Sequence, residues 1–117
     1  MDRDHYVYTP EELTAIEQTL SELLNHIYRH GPKPLPMCIR FCSIIKKNIG
    51  TCRAEGWNDR NVLSEYIRDD WRCAMALHAG LPDYYIPDPD YDTQLRLNEP
   101  IDRGIVTLSA LIEGHNL

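Results

Sequence analysis

The sequence predicts an all-α fold: a single-domain bundle of about four helices with a long Pro/Asp/Tyr-rich loop before the last helix. Apolar residues recur at three- and four-residue spacing in four stretches, the period of a helix buried along one side. Helix start and stop signals bracket those stretches. The length of 117 residues fits one domain, residues 1–117, and no internal repeat divides it.

The first helix is predicted over about 10–29. Thr9 is a good N-cap, Pro10 suits the first helical position, and Glu12 stands where a capping box wants it. Leu13, Ile16, Leu20, Leu23, Leu24 and Ile27 form one apolar stripe. Gly31 and Pro32 stop it, and Pro32, Pro34 and Pro36 predict a stiff extended linker. The second helix follows over 36–55 with Met37, Cys38, Phe41, Cys42, Ile45, Ile49 and Cys52 on one side. Ile44 broadens that face, Gly50 can bend the helix, and Gly56 ends it.

Asn58 or Asp59 caps a third helix over 59–79, with Val62, Leu63, Tyr66, Ile67, Trp71, Ala74 and Leu77 in helical register. Gly80, Leu81 and Pro82 predict a Schellman-type end. The loop 82–97 holds three prolines, four aspartates and three tyrosines without a helical period. Gln94 to Leu97 suits a short strand within it. Asn98 then caps a last helix over 100–113, with Ile101, Ile105, Leu108 and Ile112 on one face.

The net charge of -6 argues against a surface that attracts nucleic acid or anionic lipid everywhere. Charge is uneven, however: residues 31–60 carry +4 and residues 83–117 carry -5. No apolar run is long enough to span a bilayer. The opening Met-Asp-Arg-Asp-His-Tyr lacks the basic and apolar regions of a secretory signal, which predicts a cytoplasmic chain with reduced thiols.

Three constellations bear on chemistry. The run 88–99 has acids at positions 1, 3, 5 and 12, the spacing of an EF-hand calcium loop. Thr93 stands where the sharp turn needs glycine, and Pro82 to Pro87 cannot be the entering helix, so the run reads as a solvated acidic loop. Cys38, Cys42, Cys73 and His78 invite a zinc reading, but their spacing matches no common zinc module; buried thiols are the simpler account. His5, His26, His30, His78 and His115 give partners for a cysteine nucleophile, yet no flanking sequence marks one. No glycine-rich phosphate loop, nucleophile elbow or HExxH is present. The sequence thus assigns no catalytic residue, metal or cofactor.

It points instead to a non-enzymatic inhibitor or adaptor that binds another protein. Tyr84, Tyr85, Asp88, Asp90, Tyr91 and Asp92 are the expected partner-binding residues, since aromatics ringed by charge are common interface anchors. The partner is expected to present a basic surface, such as that of a nucleic-acid-handling enzyme. Small acidic chains of this type are often encoded by phages or mobile elements. The alternative is a helix-turn-helix-like regulator contacting nucleic acid through Lys46, Lys47, Arg53 and Arg60. Glu65, Asp69 and Asp70 would face a phosphate backbone badly in that reading. The broad apolar face of the second helix also suits a homodimer.

Overall fold

Thr9 opens the first helix as the sequence predicts. Its Oγ1 accepts from the Glu12 N–H at 3.1 Å, and the Glu12 carboxylate accepts from the Thr9 N–H at 2.8 Å. The computed structural model describes residues 6–76 and 80–114. It contains α1 (Pro10–His30), α2 (Met37–Ala54), α3 (Arg60–Ala76), a 3-10 turn (Leu81–Asp83) and α4 (Tyr91–Glu113). No strand occurs among the described residues. The predicted end of the third helix at residue 79, with Leu77, lies outside the described residues, as do His5, His78 and His115.

Helix α1 lies between α2 and α4 and runs antiparallel to both. On one side Glu17 pairs with Arg53, and the Tyr28 hydroxyl meets the Ser43 hydroxyl at 2.5 Å. On the other side Leu23 abuts Gly104, where any Cβ would come within 3.3 Å of Leu23 Cδ1. Helix α3 folds back on α2 and touches α4 only lightly. The core gathers most of the predicted stripes of the four helices, with Trp71 fully buried among them, but Met37 and Ile44 of α2 and Val62 and Tyr66 of α3, expected on the apolar faces, are exposed.

The α2–α3 corner is built on the left-handed Gly56. Its N–H donates to Arg53 C=O at 3.0 Å, and Trp57 N–H donates to Cys52 C=O at 2.9 Å, which together form a Schellman end. Trp57 and Asp59 also have positive φ, an uncommon geometry for side-chain-bearing residues. Asn58 is engaged in the corner, donating from Nδ2 to Glu55 C=O, and Asp59 directly precedes α3.

The segment before α1 is sewn to α3. Tyr8 is fully buried: its N–H donates to Ser64 Oγ at 3.0 Å and its hydroxyl to Ile112 C=O at 2.5 Å. Arg60 and Arg68 donate to the Tyr8 and Tyr6 carbonyls. Tyr8 thereby ties the start of the chain to α3 and to the end of α4.

Three expectations are corrected. The last helix begins at Tyr91, not near residue 100, so Gln94 to Leu97 is helical rather than a strand. Asp90 is its cap: Oδ2 accepts from the Thr93 N–H at 3.0 Å and from Thr93 Oγ1 at 2.7 Å. Asn98 and Pro100 therefore lie inside the helix. Proline has no N–H, so the Arg96 carbonyl loses its helical donor, and packing of the α4 face against α1 compensates. Second, Gly80 is extended at φ -77 rather than left-handed, so it is not the glycine of a Schellman end. Third, the linker between α1 and α2 is not uniformly extended; its Lys33–Pro34 peptide bond is cis.

Candidate functional site

Shortening the loop to residues 84–90 changes what its residues can do. The segment is laid as a strap along the first turns of α4. Ile86 is buried, and both of its main-chain polar groups are taken by Asn98. Asp88 N–H donates to Gln94 Oε1 at 3.3 Å, and Asp90 N–H donates to Asp88 Oδ1 at 2.9 Å. Asn98 also donates to Gln94 C=O at 2.8 Å, one turn back. The strap is thus held by side chains of the helix it precedes.

This arrangement divides the sequence-predicted site residues. Tyr84 turns inward. Its hydroxyl is buried beside Gly31 without a hydrogen-bond partner, and burial and the nearby Cys38 push its pKa up. Tyr85 and Tyr91 turn outward, 58% and 71% exposed. Leu95, 52% exposed, lies one helical turn after Tyr91 on the same face of α4. Asp90 and Asp92 are exposed, Asp88 is half-buried, and Asp83 is exposed at the 3-10 turn. Among the described residues, none of these four carboxylates has a cationic partner. The Thr93 hydrogen bonds hold the Asp90 carboxyl below its usual range, so it is charged at neutral pH. Tyr91 and Leu95 thus form an exposed pair on the first turns of α4, Tyr85 stands exposed on the strap, and Asp88, Asp90 and Asp92 lie near them in the chain.

The nucleic-acid candidates are placed differently. Arg53 pairs with Glu17 and stacks over the Trp57 ring, its guanidinium carbon 5.3 Å from the ring centroid. Arg60 donates to the Tyr8 carbonyl. Lys46 and Lys47 remain on α2 without an ion pair among the described residues. Two of the four basic side chains are thus engaged within the fold.

The thiols separate as well. Cys38, Cys42 and Cys52 are buried, whereas Cys73 is exposed on α3. Burial pushes the Cys42 thiol up to about 12. Among the described residues no cluster of three or more His, Cys, Asp or Glu side chains gathers around a common point. The EF-hand spacing also fails, because its positions from Tyr91 onward are wound into α4 and cannot wrap an ion. His26 and His30 stack at 4.9 Å, and His26 Nε2 donates to the Leu97 carbonyl at 2.6 Å, next to the Pro100 break.

The chain has no significant match among protein-family models, curated proteins or solved structures. The residues that sequence reasoning missed are Gln94, Leu95 and Asn98. Asp90 followed three residues later by Thr93 is a cap signal that would have started the helix early enough to expose Leu95 as the neighbour of Tyr91. No helix among the described residues is long and apolar enough to cross a membrane.

Proposed function

We propose that this chain is a protein-docking module, an inhibitor or adaptor, whose binding surface is the patch of Tyr85, Tyr91 and Leu95 edged by Asp83, Asp88, Asp90 and Asp92. The observation that carries the reading is the strap: Asn98 and Gln94 fasten its backbone while Tyr85 on it, and Tyr91 and Leu95 on the helix that follows, stay exposed. A patch fixed before binding loses little conformational freedom on docking. Tyrosine supplies large contact area with few rotatable bonds, and it is enriched in interface cores.

The unpaired carboxylates favour a partner with a basic surface and raise the rate of encounter with it. A groove that ordinarily holds nucleic acid has that character, so a nucleic-acid-handling enzyme is the partner class this reading favours. The test is a photo-reactive phenylalanine analogue placed at Tyr91, and separately at Lys47, in chain expressed in its native host. The reading predicts an adduct with a basic-surfaced protein from position 91 and none with a different protein from position 47, where a second copy of this chain does not count. Adducts with a different protein from position 47 alone, or adducts with nucleic acid, would overturn it.

A further inference from the structure

The outer face of the α2–α3 hairpin lies away from the strap and from α1 and α4. Three apolar side chains stand exposed along it: Ile44 on α2 at 43%, and Val62 and Tyr66 on α3 at 41% and 57%. Between the two helices runs an open groove whose walls include Asn48, Thr51, Val62 and Tyr66. Helical register orders the rest of the face. On the α2 edge, beyond Ile44, come Arg40 and Lys47, both exposed and without an ion pair among the described residues. On the α3 edge, beyond Tyr66 and Val62, come Glu65 and Asp69, both exposed. Arg72 meets Asp69 at 3.2 Å, which leaves Glu65 as the acid of this edge without an ion pair among the described residues, while the half-buried Asp70 lies on the other side of Tyr66, toward α2. The face is therefore basic along the α2 edge and acidic along the α3 edge, with Ile44, Val62 and Tyr66 between them beside the uncharged Asn48 and Thr51, and with Glu55 and Asp59 at the corner end of the groove.

We propose that this face binds a second copy of this chain about a two-fold axis parallel to the helix pair. Such an axis lays α2 of each copy on α3 of the other, so the apolar centres meet and each basic edge meets an acidic edge, twice. It also preserves height along the helices. The corner at residues 55–59 sets the hairpin register, so Lys47 stands level with Glu65 and Asp69, and Arg40 stands about two turns beyond. The surface is self-complementary in sign and in register, which a face evolved only for solvent has no reason to be. A differently charged protein partner, or nucleic acid on Arg40 and Lys47 alone, would leave either the acidic edge or the apolar centre unmatched.

The test is solution mass by light scattering and sedimentation over a concentration series. The wild type is expected to double its 13.6 kDa mass as concentration rises. Ile44→Glu is expected to weaken self-association by about tenfold or more. Lys47→Glu alone and Glu65→Lys alone are expected to do the same, and the double variant Lys47→Glu/Glu65→Lys to restore the dimer. All these positions are exposed, and circular dichroism confirms that each variant is folded. A wild type that stays at 13.6 kDa overturns the proposal, as does a dimer indifferent to Ile44→Glu. So does a double variant no more dimeric than the singles.

Discussion

Asn98 completes both main-chain hydrogen bonds of Ile86. Its Oδ1 accepts from the Ile86 N–H at 2.7 Å, and its Nδ2 donates to the Ile86 carbonyl at 2.9 Å. One side chain thus does for a strap residue what a paired strand does in a sheet. Asn98→Ala leaves both groups without partners beside a buried side chain and is expected to cost about 2 kcal/mol. Amide exchange at Ile86 should accelerate with it. Asn98→Asp retains the acceptor for the Ile86 N–H but sets a carboxylate oxygen against the Ile86 and Gln94 carbonyls, and should lose at least as much. Unchanged exchange at Ile86 in Asn98→Ala would show that the strap is held by packing alone.

Tyr84 makes an opposite prediction for a buried polar group. Its hydroxyl has no partner, so Tyr84→Phe removes an uncompensated burial and should leave stability unchanged or raise it by about 1 kcal/mol. Gly31→Ala places a Cβ against that hydroxyl and 2.7 Å from the Ile27 carbonyl, and overpacking of this kind costs roughly 1–3 kcal/mol. In the double variant the cost of Gly31→Ala should shrink. Denaturant midpoints of the four chains measure the coupling, and strict additivity would show that the two residues do not meet.

Ser64 is the buried hydroxyl that joins Tyr8 N–H to Arg60 C=O. Ser64→Ala strips the Tyr8 amide of its acceptor in a buried position and should cost about 1–3 kcal/mol. A cost below the error of urea unfolding would mean that the Ser64–Tyr8 hydrogen bond contributes nothing and that the other contacts of Tyr8 hold this segment.

Alkaline pH should unfold the protein through two buried acids. Cys42 ionises near 9.0 when exposed and near 12 in the fold; Tyr8 moves from 10.0 to about 12. Burial is the leading cause for both. The unfolded chain therefore releases protons first, and stability falls as pH rises, from about 9 for Cys42 and from about 10 for Tyr8. Below about pH 8 neither contributes an appreciable slope. Unfolding midpoints between pH 7 and pH 11 read this directly, and Cys42→Ala should flatten the onset between 9 and 10. An onset unaltered by that substitution would assign the slope to other groups.

The first three helices were legible because apolar stripes fall between helix breakers there, although only α1 of the three carries the predicted side-chain cap; among the described residues no side-chain cap from Asn58 or Asp59 opens α3. Thr9 with Glu12, the Leu13-to-Ile27 stripe and the left-handed Gly56 each carry a local physical cause that needs no tertiary information. Residues 91–99 were not legible for the reverse reason. Pro100 normally starts a helix, and its presence in mid-helix depends on packing of α4 against α1, which only the fold supplies. Asp90 and Thr93 did signal the start, but three prolines and a dense run of aspartates masked it. Of the predicted site residues, Tyr84 and Tyr85 cannot be told apart by sequence. One is inside and one outside because the strap fixes which side chain faces Gly31.

Isothermal titration of the cross-linked partner, purified, into the wild type and into Tyr91→Ala tests whether Tyr91 and the carboxylates around it form a binding surface. A residue 71% exposed costs little stability to truncate, so the readout is affinity alone. A loss of about 30-fold or more is expected for Tyr91→Ala, the scale of an interface anchor. A further loss is expected in Asp88→Asn/Asp90→Ser/Asp92→Asn, where serine retains a capping oxygen without the charge. That loss should fade as salt is raised. Equal affinity for the wild type and Tyr91→Ala, at low salt and with the same stoichiometry, would contradict the proposed surface.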